Sequence, residues 1–186
     1  MKALLVIDIQ NDFCEGGSLS VEGAKEIIPY VNSLMNKYSL VVATKDWHPL
    51  NHSSFLSNNP ETGIWPNHCI KGSEGAKLHK EIDLESIDFI FSKGANPLVD
   101  SYSGFYENNK TTSTGLGEFL KLKGITEVLI VGLALDYCVK ATALDALKFG
   151  LKVSVDLKGT RAVNKNDGDD SRAIAFLKEN GVTILN

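Results

Sequence analysis

One stretch of the sequence concentrates side chains that bind transition metals. Asp46 and His48 are separated by a single residue, His52 follows soon after, and His68 lies further along the chain. Imidazole nitrogen and carboxylate oxygen together suit a divalent transition ion, and Asp46 and His48 can both reach one point from an extended backbone. These residue types leave zinc, iron and manganese open as the bound ion.

Composition limits the functions that a metal site could have in this chain. The chain has 186 residues, 43% hydrophobic and 23% charged, which predicts one globular domain over residues 1–186. A formal net charge of −4 argues against a nucleic-acid partner, and no segment is long enough to span a membrane, so we expect a small-molecule substrate. Three cysteines, an odd number without disulfide-framework spacing, indicate a cytoplasmic location. Homo-oligomerisation stays open.

The hydrophobic pattern predicts the elements that must position the reactive groups. Short β-branched apolar runs alternate with longer amphipathic stretches, which is typical of an α/β fold in three layers with a mostly parallel sheet of about six strands. We predict strands near residues 3–8, 39–44, 88–92, 127–132, 152–156 and 182–185, and helices over 22–37, 113–123, 138–149 and 169–180. Residues 45–76 fit neither pattern, and a loop of this length in a compact domain is usually functional.

Reactive side chains stand at the ends of the first four predicted strands. Asp8 ends the first strand, Asp46 and His48 follow the second, Lys93 follows the third and Cys138 follows the fourth. The carboxyl ends of parallel strands lie on one edge of a sheet, and ligands bind there where the winding reverses. We therefore expect these groups to share one crevice.

Cys138 is the predicted nucleophile. It would begin the helix after the fourth strand, where the positive end of the helix lowers a thiol pKa. A buried apolar role is the alternative, and we favour that role for Cys14 and Cys69. Cys69, beside His68, also has the lesser alternative of a soft metal ligand.

Asp8 and Lys93 supply what a cysteine hydrolase needs when no histidine acts as its base. A carboxylate at the end of an apolar strand can accept the thiol proton, and a nearby ammonium stabilises the negative charge that results. The alternative for this pair is a plain salt bridge at the sheet edge.

Six short motifs follow one another along the chain. They are Asp8-Ile9-Gln10-Asn11-Asp12-Phe13-Cys14 with Gly16-Gly17, Asp46-Trp47-His48-Pro49, Trp65-Pro66-Asn67-His68-Cys69, Lys93-Gly94, Asp100-Ser101-Tyr102-Ser103, and Gly132-Leu133-Ala134-Leu135-Asp136-Tyr137-Cys138-Val139. In this order they resemble the nicotinamidases of the isochorismatase-like cysteine hydrolase superfamily, over nearly the whole chain. The resemblance implies the isochorismatase-like hydrolase fold. It also implies hydrolysis of nicotinamide to nicotinate and ammonia through a thioester, a reaction of NAD salvage, with pyrazinamide as a related substrate.

The resemblance further implies a role for each site position. The implied catalytic set is Asp8, Lys93 and Cys138. The implied ligands of one divalent ion, with zinc favoured over iron or manganese, are Asp46, His48 and His68, and His52 is left as a further candidate ligand. The implied substrate pocket contains Phe13, Trp65 and Tyr102, for which core packing is the alternative. The implied oxyanion site is formed by the backbone amides of Ala134 and Cys138, next to a cis Leu133–Ala134 peptide.

Two other functions stay open. A related amidohydrolase or isochorismatase would act on another small molecule, although the metal motif speaks against an isochorismatase. A non-enzymatic module would hold a structural metal, fully coordinated by protein and removable only with unfolding.

One residue departs from the motif pattern, and one histidine lies outside all the motifs. Leu135 stands where many members of the superfamily have threonine, and we expect it to change packing or pocket shape without removing the chemistry. His79 matches no motif, and we expect it on a solvated face.

Overall fold

A single parallel sheet organises the molecule. The computed structural model describes all residues from Met1 to Asn186. Its strands are β1 Lys2–Ile7, β2 Val41–Asp46, β3 Phe89–Lys93, β4 Glu127–Leu133, β5 Lys152–Arg161 and β6 Thr183–Leu185, in the sheet order β3-β2-β1-β4-β5-β6. Its helices are α1 Ile28–Met35, α2 Leu116–Leu122, α3 Lys140–Lys148 and α4 Asp169–Glu179. None of these helices has the length and apolar character needed to cross a bilayer.

The central strand β1 is buried on both of its faces. Leu5 belongs to an apolar cluster that includes Leu120 of α2 and Ala143 of α3, whereas Leu4 belongs to a second cluster that includes Val31 of α1. Because successive side chains of a strand point to opposite faces, the two clusters lie on opposite sides of the sheet. This confirms the predicted three-layer α/β architecture, and all the strand pairings are parallel.

The winding of the sheet reverses beside β1. The chain runs from β1 outward through β2 to β3, and then crosses to the other side of β1, where β4 pairs with it. The crevice at such a reversal lies at the carboxyl ends of the strands. The topology therefore places the ends of β1 and β4 next to each other at a ligand-binding edge.

Most predicted boundaries differ from those observed by a few residues, as for the helix predicted over 113–123, which is α2 Leu116–Leu122. Three further differences change the kind or the length of an element. The predicted helix 22–37 is a 3-10 turn, Ala24–Ile27, followed by α1, because Pro29 lacks an amide hydrogen and fits only the first turn of a helix. The predicted helix 138–149 begins earlier, as the π-helical turn Leu135–Val139, before α3. Strand β5 continues to Arg161 because its pairing with β4 resumes after a register shift.

The long loop after β2 is tied to the sheet by one side chain. Gln10 donates from Nε2 to the carbonyls of Asp46, at 2.8 Å, and Ala76, at 2.9 Å. Its Oε1 accepts the amide of Asp46 at 2.7 Å. Gln10 thus joins the segment after β1 both to the end of β2 and to this loop.

Candidate active site

The ends of four strands deliver the predicted reactive groups to one place. Asp46 and Lys93 are the last residues of β2 and β3 and are paired across the sheet. Asp8 directly follows β1 and turns the chain with a φ of 49°, a left-handed conformation that non-glycine residues seldom adopt. Cys138 lies in the π-helical turn after β4. The strand-end argument thus found the correct edge of the sheet.

Lys93 is at the centre of this group. Its Nζ lies 2.9 Å from Asp8 Oδ2 and 3.4 Å from Cys138 Sγ, and it also forms an ion pair with Asp46 Oδ1. Its remaining contact is a hydrogen bond to the Ser101 carbonyl, at 2.8 Å. Lys93 is only 3% exposed, so these contacts replace water around its charge.

Two carboxylates keep Lys93 charged in this buried position. Burial alone would lower the pKa of Lys93, but the negative charges of Asp46 and Asp8 outweigh it and hold the pKa well above its usual value. A buried ion pair within such a network is stabilised only when each charge keeps its partners. The ammonium is therefore a permanent positive charge beside the Cys138 sulfur.

Asp8 is placed to exchange a proton with Cys138. One carboxylate oxygen of Asp8, one of Asp46 and the Cys138 sulfur lie within 4.8 Å of one another. Burial raises the pKa of Asp8, against the opposing charge of Lys93 and a hydrogen bond that Thr44 donates to Asp8 Oδ1 at 2.6 Å. The other oxygen, Oδ2, is buried and faces the Lys93 ammonium at 2.9 Å, with no further hydrogen-bond partner.

The predicted lowering of the Cys138 pKa is wrong. Burial raises the pKa of the thiol well above its ordinary value; Lys93 opposes this shift, whereas Asp8 and Asp46 add to it. The sequence indicated that a helix start would lower the thiol pKa, but it could not show that burial beside two carboxylates would raise it. The thiol therefore needs a base, and Asp8 is the group positioned to be one.

The predicted metal ligands form a second group next to the first. One ligand atom each of Asp46, His48 and His68 lies within 4.8 Å of the others. His48 Nδ1 contacts the Gly94 carbonyl and His68 Nδ1 contacts the Pro66 carbonyl, both at 2.8 Å. Such contacts fix the ring tautomer and leave Nε2 of each histidine available to a metal ion.

His52 lies against this group as well. Its ring centroid is 4.2 Å from that of His48, and its Nδ1 contacts Ser54 Oγ at 2.7 Å. Its Nε2 is buried and has no hydrogen-bond partner, which is costly for a polar atom. Ligand atoms of His48, His52 and Asp100 also lie within 4.8 Å of one another. The unpaired Nε2 of His52, together with the nitrogen and carboxylate donors of the neighbouring side chains, fits a divalent ion.

A narrow cavity of about 30 Å³ with mostly apolar walls adjoins both groups. Trp65 donates from Nε1 to the Tyr102 hydroxyl at 3.0 Å, and Tyr137 packs against both rings, with centroids 4.9 Å from Trp65 and 5.6 Å from Tyr102. Phe13 packs against His68, with centroids 5.5 Å apart. The full lining is Phe13, Leu19, Val21, Asp46, Trp65, His68, Asp100, Tyr102, Ala134, Tyr137, Cys138 and Val163.

The predicted oxyanion residues border the same cavity. The Leu133–Ala134 peptide bond is cis, as the resemblance implied. Ala134 and Cys138 both line the cavity. Their backbone is therefore within reach of a molecule bound there.

Several residues of the site were not identified from the sequence. Thr44, inside β2, contacts Asp8, and Gln10, in the segment after β1, contacts Asp46; neither was assigned a role from the sequence. Tyr137, next to Cys138, could have been assigned to the cavity from its motif. Val163 could not, because it belongs to a distant loop.

The residues set aside in the sequence also have defined positions. Cys14 and Cys69 are buried in the apolar cluster on the α1 side of the sheet, in agreement with the apolar role favoured for them. Leu135 is likewise buried, in the opposite cluster. The expectation for His79 is wrong: it is 5% exposed, because its amide donates to the Ile9 carbonyl and holds the residue against the protein.

Known proteins resemble this chain in sequence and in fold. The isochorismatase domain model matches residues 2–186. A nicotinamidase of Escherichia coli is 41% identical over 98% of this chain and 93% of its own length. A protein of L. infantum solved in complex with nicotinate is 39% identical, with a TM-score of 0.94 over 100% of this chain and 92% of its own. A pyrazinamidase of Pyrococcus horikoshii solved in complex with zinc is 38% identical, with a TM-score of 0.87 over 100% of this chain and 98% of its own.

Proposed function

Since the chain belongs to the isochorismatase family, we propose that it is a cysteine amidohydrolase that converts nicotinamide to nicotinate and ammonia. The observation that carries this proposal is Lys93, whose ammonium contacts Asp8, Cys138 and Asp46 at the edge of an aromatic cavity. The E. coli relative, a nicotinamidase, supports the choice of substrate. The reaction belongs to NAD salvage, and residues 1–186 act as one domain.

The first half of the reaction forms a thioester. Asp8 accepts the thiol proton of Cys138 as the sulfur attacks the carboxamide carbon, and Lys93 stabilises the negative charge. The tetrahedral intermediate collapses when its carbon–nitrogen bond breaks. Asp8 returns the proton to the leaving nitrogen, and ammonia departs.

The second half regenerates the thiol. A water molecule attacks the thioester carbonyl and gives one proton to Asp8, and the carbon–sulfur bond breaks. The carboxylic acid that forms loses its remaining proton to solvent and is released as nicotinate. The proton on Asp8 passes to the Cys138 sulfur. In both halves, the amides of Ala134 and Cys138 donate to the oxygen that becomes negative, because donors fixed in advance stabilise charge that develops only in the transition state.

The aromatic cavity orients the substrate. Phe13, Trp65 and Tyr102 enclose the pyridine ring, and the hydrogen bond between Trp65 and Tyr102 fixes one wall. A ring held between rigid walls brings the carboxamide to Cys138 in one orientation, which lowers the entropic cost of the attack.

Asp46, His48 and His68 would hold one divalent ion, with His52 as a candidate fourth ligand. When bound, the ion supplies a Lewis-acidic site for the pyridine nitrogen. Zinc is the proposed ion because nitrogen and carboxylate ligands suit it and because the P. horikoshii pyrazinamidase was solved with zinc. With three protein ligands the ion would keep room for the substrate, as catalytic sites do.

Location and assembly stay predictions. The three cysteines are all free, which fits the reducing cytoplasm proposed from the sequence. Homo-oligomerisation remains an open expectation, to be tested by light scattering.

Ammonia release from nicotinamide tests the proposed function. The zinc-loaded protein should release ammonia, and Cys138→Ala should abolish the release because the nucleophile is missing. Cys14→Ala is the matched control: Cys14 is also a free and buried cysteine but does not line the cavity, so this variant should keep the activity. No ammonia from the zinc-loaded wild type, or equal rates for wild type and Cys138→Ala, would overturn the proposal.

A further inference from the structure

Asp136 is a buried carboxylate that has no part in the proposed chemistry. It is 4% exposed, and its two oxygens accept the backbone amides of Val163 and Asn164, each at 2.9 Å. Hydrogen bonds to an ionised acceptor are about twice as strong as those between neutral groups. The carboxylate therefore fixes two successive peptide units of a segment that is distant in sequence.

These two bonds join the nucleophile to one wall of the cavity. Asp136 lies two residues before Cys138 in the same π-helical turn. Val163 lines the aromatic cavity and belongs to the β5–α4 loop, residues 162–168. The turn that carries the sulfur and the loop that carries Val163 are thus connected directly through Asp136.

The rest of the β5–α4 loop is arranged around this connection. Asn164 has a φ of 49°, and its Oδ1 accepts the amide of Asp170, at the start of α4, at 2.9 Å. Lys165 Nζ lies 5.3 Å from the centroid of the Trp65 ring, within the range of a cation–π contact. The loop therefore reaches from α4 to the aromatic wall, with Asp136 as its link to the nucleophile turn.

We propose that Asp136 is a positioning residue that holds the β5–α4 loop in place, so that Val163 closes the cavity against the ring of the substrate. This inference rests on the proposed function, because it assigns the wall to the same aromatic amide. Asp136 therefore affects how tightly the cavity binds the ring, both in the substrate and in the product. The sulfur itself is held by its own turn and by Lys93.

An amide at position 136 cannot replace the carboxylate. Asparagine offers one oxygen, and its NH₂ group would face one of the two backbone N–H groups, leaving that donor buried and unsatisfied. The loop would then move away from the turn to regain a partner. Val163 would move with it, and the cavity would lose one side.

Steady-state kinetics of Asp136→Asn test the inference. The KM for nicotinamide and the inhibition constant of nicotinate should both rise about tenfold, as expected for the loss of one hydrogen bond to a charged acceptor, while kcat stays close to wild type. Alkylation of Cys138 by iodoacetamide, followed by peptide mass spectrometry, should keep its wild-type rate. Asp156→Asn is the matched control: Asp156 is also a buried carboxylate that accepts a backbone amide, but it does not line the cavity, so its KM should not change.

Val163→Ala provides a second test that leaves the carboxylate in place. It should raise KM and the nicotinate inhibition constant, and the double variant should raise them no further than Asp136→Asn alone, because both changes remove the same wall. An unchanged KM in either variant, additive effects, or a fall in kcat and in Cys138 alkylation without a rise in KM would overturn the inference. If the wild-type protein releases ammonia in the same assay, such an outcome contradicts this inference and not the proposed function.

Discussion

At the level of single residues, Lys93 links the two groups of the site. It touches Asp8 and Cys138 of the proposed catalytic set and Asp46 of the proposed metal ligands. The positions of these residues could be predicted, because each stands at a strand end in the sequence. Their acidities could not, since burial and neighbouring carboxylates determine the pKa of Cys138 and only the folded chain brings these together.

The bond from Thr44 to Asp8 gives a prediction about pH dependence. Burial raises the pKa of Asp8, and the Thr44 hydrogen bond opposes this by favouring the ionised carboxylate. Asp8 must be ionised to act as a base, so kcat/KM falls as the pH drops through its pKa. Thr44→Val removes the bond, raises the pKa further and should move the acid limb of the profile to higher pH by about one unit.

The pH profile of kcat/KM for nicotinamide measures this shift. Thr160→Val is the control, because Thr160 is a buried threonine whose hydroxyl donates to the Leu157 carbonyl, away from Asp8. Its acid limb should match wild type. An acid limb that stays in place in Thr44→Val, or moves to lower pH, would contradict the role of Asp8 as the base.

At the level of elements, strands could be predicted from apolar runs, but the long loop after β2 could not. Its conformation depends on side-chain bonds such as those of Gln10, which have no periodicity. The proposed metal site depends on such loop contacts, because His48 is held by a carbonyl just beyond the end of β3. That carbonyl belongs to Gly94, whose φ is 67°.

Gly94→Ala should therefore weaken metal binding. An added Cβ would lie 2.4 Å from His48 Cε1 and 2.6 Å from its Nδ1, so the ring would have to move. Loss of an outer contact of a ligating histidine typically costs about 10- to 100-fold in metal affinity. Competition titration with a zinc chelator measures this loss.

Gly72→Ala is a control that distinguishes the clash with His48 from the cost of placing a side chain at a positive φ. Gly72 has a similar φ of 82°, but an added Cβ there would meet nothing within 4 Å. This variant should keep wild-type zinc affinity. Equal zinc affinities for the two variants would show that the position of His48 does not govern binding.

At the level of the whole molecule, the proposed metal ligands lie at one edge of the sheet. Two apolar clusters cover the two faces of the sheet, whereas Asp46 is the last residue of β2 and His48 and His68 lie in the loop beyond it. A metal that is held at the edge of a complete core contributes to stability only through its binding free energy. Such a metal can be removed without unfolding the chain, whereas removal of a structural metal unfolds it.

Chelation tests the molecule as a whole. Removal of the metal with EDTA should abolish ammonia release from nicotinamide and lower the Tm, while the far-UV circular dichroism spectrum at 25 °C stays that of the folded protein. Added zinc should restore both activity and Tm. Unfolding on chelation would instead favour the alternative of a non-enzymatic module with a structural metal.

The placement of one reactive group at the end of each of four strands also determines when the site can form. Lys93 and Cys138 are 45 residues apart in the chain, and each reaches the site only when its own strand has joined the sheet. Contacts of such separation form slowly, because loop-closure entropy is lost before they contribute. Recovery of activity during refolding should therefore come later than the recovery of helical signal, and no fragment that lacks one of these strands can carry the complete site.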